Sequence, residues 1–433
     1  MTPLSTPVLS ESASAICLAL VLLVPLAGVG LILINCGLGR SRSAAHMMLA
    51  SLCAMAVAVV VFAAWGFAWQ GLATHPGHTA MLGGRPWSLL GAEPWLLRGL
   101  PMDGSPWSLS LLLQMFATAL VVLIPLGATS DRWRLTACAF STTLLTGITY
   151  PLFAHWVWGG GWLSQLGANY GLGRGFLDGG GAGVIQVVGG MTALSMACIL
   201  GPRHGKYMAD GMPAAIPGHN TVYVLFGCLL AWLGWIGLDS AGAILFAGVA
   251  TGRVPLIAIN TTLCAAVSGL TAVVITGKRF GRPDASLSGN GWMGGLVASS
   301  AAAAFVRPAA AILIGLVAGI LVSYAVDSLE FRIGVDDPGG AVSVHLVGGL
   351  WGLLAVALFG NFAEPYQWLA QVVGIATLLG FVLPLTYGLN ALLNRFYPQR
   401  VEPEGERQGM DLHELGSGAY PDFVTHSDEF LQR

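Results

Sequence analysis

Charge is what this chain has least of. Of its 433 residues, 19 are Lys or Arg and 21 are Asp or Glu, 9% in all, where a soluble globular domain carries roughly 25%. So little charge cannot cover a water-soluble protein of this length, and a hydrophobic content of 55% excludes a disordered chain. The formal net charge of -2 argues against a nucleic-acid partner. Chemical motifs are missing as well. The seven cysteines, Cys17, Cys36, Cys53, Cys138, Cys198, Cys228 and Cys264, all lie in apolar runs and none forms a CxxC pair, so they read as small buried hydrophobes. There is no HExxH, no GxSxG and no cluster of three metal ligands, which removes the usual marks of an enzyme and leaves no cofactor or metal to expect.

What is present is apolar and long. Eleven segments can cross a bilayer: Ala13 to Cys36, Met47 to Trp69, Leu109 to Ala128, Leu135 to Trp156, Ala182 to Leu200, Thr221 to Leu238, Ile257 to Ile275, Ser288 to Phe305, Ala309 to Val326, Ala341 to Phe359 and Leu369 to Leu392. The expected fold is an all-α polytopic membrane protein, with an external N-terminus over 1–12, a transmembrane domain over 13–395 and a cytoplasmic tail over 396–433. The first segment lacks a basic leader region and is followed by GRSR, so it reads as a span and not a signal peptide. Loops after odd-numbered spans together with the tail hold 14 of the basic residues, and loops after even-numbered spans hold 5. That bias places the N-terminus outside and the C-terminus in the cytoplasm, on opposite sides as an odd number of spans requires. Residues 70–107 form a long external loop whose Trp87 and Trp95 suit the interface and which also holds His75 and His78. The tail from Arg400 carries 8 of the 21 acids and is too short for an enzyme domain.

An internal repeat appears at an offset of 159 residues. Asp178 falls on Asp337, Gly181 on Gly340, Gln186 on His345, and the pair Gly189 and Gly190 on Gly348 and Gly349. Segments five spans apart cross in opposite senses, so the chain reads as two inverted five-helix repeats plus a C-terminal helix, with the substrate path at their interface. Paired glycines let backbones approach there. Ionisable residues in or beside the spans are few and therefore informative: His345, Asp239 at the close of the sixth span, and Asp178 just before the fifth. Asp178 is read either as a helix cap or as a carboxylate facing the path.

The segments AHWVWGGG at 154–161, His219-Asn220, GWIGLDSAG from Gly234, NTTLCAA from Asn260, VDDPGGAVSVHLVGGLWG from Val335 and the tail from Arg400 stand in one order along the chain. In these the chain resembles the ammonium transporter family (Amt/Mep/Rh). The resemblance implies eleven spans, a homotrimer in the inner membrane with a pore in each subunit, and ammonium or a small amine as substrate. It also implies a cytoplasmic partner of the nitrogen-regulatory class at the tail. By the same resemblance Trp158 offers its indole face to a cation, and Asp178 is the carboxylate before the fifth span. Other positions depart from the family. The first gating phenylalanine position is Ala117, beside Phe116; the second is Leu238; the next residue is Asp239; the pore serine is Gly242; and the twin histidines are Gln186 and His345. Of the family's aromatic and hydroxyl set at the mouth, Trp158 alone is kept. Unless neighbours fill in, the losses of volume predict a wider mouth with a weaker cation box, and Asp239 either adds charge there or stands in water at a helix end. An amide does not titrate, so a relay through Gln186 is broken. A transporter or channel for ammonium or methylammonium is the leading expectation. An ammonium-sensing receptor with little flux and a channel for a neutral gas are the alternatives.

Overall fold

The computed structural model describes residues 9–73 and 77–420; His75 and the last acids of the tail lie outside them. Ten of its helices are long and apolar enough to span a membrane. In chain order they are α1 (Glu11–Leu38), α2 (Ser41–Gln70), α3 (Pro106–Thr129), α4 (Leu135–Val157), α5 (Ala182–Leu200), α6 (Thr221–Ala247), α7 (Thr251–Phe280), α9 (Pro308–Ile333), α10 (Val342–Phe359) and α11 (Gln367–Phe396). Between α7 and α9 lies the remaining expected segment, α8 (Ala285–Ala302). It is less apolar because it meets protein instead of lipid: from Gly289 onward every residue except Trp292 is buried.

Local chemistry sets the ends. Asn220 accepts from the Tyr223 N–H at 3.0 Å to start α6, and Asp284 accepts from the Leu287 N–H at 2.8 Å to start α8. Gly248 and Gly281, at φ 64° and 75°, close α6 and α7 in the left-handed region. The sixth span thus runs nine residues beyond its expected end at Leu238. The acid at 239 suggests a boundary, but Ala, Ile and Leu around it continue the helix.

The bundle has lipid-like skin and a protein-packed centre. Buried residues make up 83% of the most apolar stretch of α5 and 33% of that of α11. Outward-facing Leu22, Leu52, Val60, Val222, Leu270 and Phe396 are each more than half exposed, as suits hydrocarbon and not water. Cys198 is exposed and Cys53 half-buried, so these two depart from the buried reading given to all seven cysteines. Helices α1 and α6 cross where Gly30 meets the Gly227 carbonyl and Ala231, and Gly234 meets Ala27; a side chain at either glycine would collide with backbone.

The two ends differ. One carries a small antiparallel hairpin, β1 (His78–Leu82) and β2 (Arg85–Leu90), within the loop between α2 and α3 of the helical bundle. Trp87 stacks on Trp162 at 4.9 Å and donates to the Tyr170 hydroxyl at 3.1 Å, so this tryptophan is a strut of the hairpin, whereas Trp95 is exposed.

The opposite end carries the tail and a buried charge network. Arg203 grips both carboxylate oxygens of Asp336 at 2.9 and 3.0 Å and reaches Asp131 at 3.4 Å. Arg132, fully buried, donates to the carbonyls of Gly201, Ser130 and Asp336. These residues follow α3, α5 and α9, so basic residues of the odd-numbered loops also tie those loops together. The tail then folds back on its own chain. Asp411 accepts from the backbone N–H of His46 at 2.7 Å and of Ala45 at 3.2 Å, near the start of α2. Glu414 accepts from His46 Nε2 and from the Leu135 N–H at the start of α4, both at 2.9 Å. Burial opposes the charged form of Glu414, yet these donors hold its pKa below the ordinary value. Asp411→Ala is expected to lower stability by about 1–2 kcal/mol, the worth of a helix cap, read as a drop in the detergent melting midpoint.

Candidate functional site

Helices α5 and α10 open in the same unusual way. Each is preceded by an aspartate and a glycine in the left-handed region, Gly181 at φ 87° and Gly340 at φ 66°. Each then makes a π turn, Ala182–Val187 in α5 and Val342–Val347 in α10, a distortion found often at functional sites. Asp178 Oδ2 accepts from the N–H groups of Gly183 and Val184, both at 2.8 Å. Asp337 Oδ2 accepts from those of Val342 and Ser343 at 2.9 and 3.2 Å. Every partner is displaced by 159 residues, so the geometry carries the repeat atom by atom. Asp178 therefore caps a helix, with its Oδ1 free of protein partners. Burial pushes its carboxyl up to about 6 against the lowering effect of those N–H groups.

The second turn of each helix meets the other at the bundle's centre. His345 Nδ1–H donates to Gln186 Oε1 at 2.7 Å, with Gln186 fully buried and His345 5% exposed. This uses the Nδ1 proton and leaves Nε2 as an acceptor. Gln186 Nε2 has no protein partner and is free to donate. The contact depends on the glycine pairs: a side chain at Gly190 would meet the backbone of Leu346, and one at Gly349 would meet Val187 and the Ala182 carbonyl.

The hairpin end of this path is lined differently from the expectation. Trp158 is buried at the close of α4, and its Nε1–H donates to the Asp178 carbonyl at 2.7 Å. One indole face is covered by Phe246, stacked at 4.4 Å and 13°. Trp158 is thus not the sole aromatic there. Phe246 belongs to none of the matching motifs, and its only signal in the sequence was an aromatic on the same helix two turns after Asp239. The wider mouth is not found at Gly242 either, because a side chain at that position would collide with the Gly179 carbonyl; backbone fills the space. Leu238 and Ala117 are fully packed and Phe116 half-buried. Two residues before Phe116 and three before Ala117, Gln114 is fully buried with neither amide atom partnered by protein. It is a polar pore candidate that the motif comparison passed over.

Asp239 is neither at a helix end nor in water. It is 2% exposed, within α6, and its Oδ2 accepts from the hydroxyls of Thr261 and Ser299 at 2.7 and 2.9 Å. Its Oδ1 lies against Gly180 and has no donor. The repeat explains the place. Gly30 stands to Ala231 as Gly234 stands to Ala27, and the same shift makes Asn35, toward the other end of the helix pair, the repeat mate of Asp239. Asn35 is neutral and donates its amide to the Leu123 carbonyl at 2.9 Å. The hairpin-end half thus holds a carboxylate where its mate holds an amide.

Comparison with known proteins bears on this geometry. The family described as Ammonium Transporter Family matches residues 15–420. Ammonium transporter Amt2 of Archaeoglobus fulgidus is 34% identical over 418 residues, covering 91% of this chain and 85% of its own. An ammonium transporter of Bacillus subtilis is 32% identical, covering 89% and 93%. Among solved structures, one titled Sensor Amt Protein superposes with a TM-score of 0.83 at 27% identity, over 93% of this chain and 97% of the other. Mep2 of Saccharomyces cerevisiae gives 0.75 at 25% identity, over 90% of each.

Proposed function

The chain belongs to the ammonium transporter family, and on that premise we propose that it is a membrane transporter or channel carrying ammonium, or a small amine such as methylammonium, along a path past Trp158, Gln186 and His345. The observation that supports it most is the 2.7 Å bond from His345 to Gln186 at the crossing of the two repeats. It presents a donor, Gln186 Nε2–H, and an acceptor, His345 Nε2, to a substrate stripped of water. Ammonia accepts from the first through its lone pair, and an N–H of the substrate donates to the second. No proton passes through the amide, so conduction does not use a relay across both positions.

The hairpin end faces outside and the tail end the cytoplasm, in keeping with the loop-charge bias. The protein is a homotrimer of the inner membrane, and its tail meets a nitrogen-regulatory signalling protein; these follow from the family resemblance. The Phe246 ring over Trp158 leaves one indole face for a cation, at about 0.5–2 kcal/mol.

A second reading, an ammonium-sensing receptor with little flux, is favoured by the Phe246 ring that covers the other face of Trp158. Purified protein in liposomes separates the two. Methylammonium uptake with little charge movement is the expected result. Binding without uptake supports the receptor, and a strong proton-linked ammonium current overturns the broken relay.

A further inference from the structure

At the hairpin end, beside Ala247 and one residue along the chain from Phe246, lies an open pocket of about 220 Å³, in which Arg174, Arg253 and Asn361 are all exposed. Its wall includes Arg174 from the loop before α5, Arg253 from the first turn of α7, and Asn361, with Phe305 and Phe362. No carboxylate lines it, and among the described residues neither arginine takes part in an ion pair. Arg174 is held in place by donating to the Ala247 carbonyl at 3.2 Å, while its backbone N–H donates to Gln367 Oε1 at 2.9 Å. The remaining guanidinium donors are left for a ligand. Arg253 stands at the positive end of a 30-residue helix, which adds to the field. Phe305 and Phe362, with ring centroids 5.4 Å apart, supply an apolar side.

We infer that this pocket binds a small oxyanion, a phosphate or a carboxylate, between Arg174 and Arg253. Two guanidinium groups without counter-charge match the paired oxygens of such a group, which each can grip at two points. The Asn361 amide supplies a neutral donor. A cation is disfavoured beside two guanidinium groups, and binding of the oxyanion does not depend on whether the pore conducts. The oxyanion has two sources, a free ion or the headgroup of an anionic phospholipid.

The test is thermal unfolding of the full-length protein in detergent, with sodium phosphate against sodium chloride at equal ionic strength, and in nanodiscs of phosphatidylglycerol against phosphatidylcholine. Phosphate is expected to raise the melting midpoint by at least about 2 °C, and Arg253→Gln to abolish the rise. Arg253 makes no hydrogen bond to the protein through its side chain among the described residues, so this variant keeps its fold; Arg174→Gln should act likewise on the shift. A rise with phosphatidylglycerol alone, again lost in Arg253→Gln, supports the site and assigns the headgroup as the source. No rise with either, or an equal rise in Arg253→Gln, overturns the inference.

Discussion

Gln186→His is expected to increase proton-linked charge movement on an ammonium pulse by about 10- to 100-fold, the effect of removing roughly 1.4–2.7 kcal/mol from a barrier. The change puts a second imidazole 159 residues before the first, in contact with it across the helix crossing. His345 already directs its Nδ1–H at position 186 from 2.7 Å. A ring nitrogen there can accept that proton and release another from its far side, because imidazole titrates near 6.5 and a carboxamide does not. The site accepts the ring, since histidine and glutamine are close in volume. Gln186→Met has similar bulk and no polar atoms, so it separates titration from repacking: it should gain no current. Both variants are read on proteoliposomes adsorbed to a sensor electrode, beside uptake of labelled methylammonium. An unchanged current in Gln186→His would falsify the view that the amide interrupts a relay.

Arg203→Ala is expected to cost about 3–5 kcal/mol, the range for removing one partner of a buried ion pair. The side chain of Asp336 would stay fully out of solvent and lose both hydrogen bonds from the guanidinium, and Asp131 would lose one contact. Arg203→Lys should fall between, because an ammonium cannot bridge two oxygens as a planar fork does. The same pair sets an acid limit. Burial alone would raise the Asp336 pKa, but the hydrogen bonds and charge of Arg203, with the charge of Arg132, hold it at about 2, below the ordinary 3.8. A lowered carboxyl pKa stabilises fully above the ordinary value and loses that contribution as pH falls from about 4 toward 2. Unfolding midpoints in detergent across that interval should drop in the native protein and change much less in Arg203→Ala.

How much of this was legible in the sequence depends on the range of each interaction. Spans are local: an apolar run of sufficient length is a property of neighbouring residues, and the ends of α5 fell where hydropathy placed them. The end of α6 was misread because Asp239 looked like a boundary; only packing reveals that Thr261 and Ser299 wait to donate to it. The repeat was legible where α5 and α10 share one offset, and Asp178 with Asp337 was the pair that chance glycines could not imitate. The grip of Arg203 on Asp336 was invisible, since 133 residues separate them and charge counts report only the side of the membrane. Phe246 was missed because its role comes from stacking on a residue of another helix. Whether neighbours fill the space at Gly242 was open, because a glycine in a sequence does not say whether solvent or backbone stands opposite; the Gly179 backbone does.

The repeat has a consequence for direction. An object built from two inverted halves looks the same to a molecule arriving from either side, and such a path has no preferred sense of travel. Preference enters only where mates differ. Gln186 against His345 and Asp239 against Asn35 are two such mismatches, one at the crossing and one nearer the hairpin. They tilt the free-energy profile without adding a gate. A pore carrying both should rectify once its sites fill, passing its substrate more readily one way than the other under equal and opposite saturating gradients.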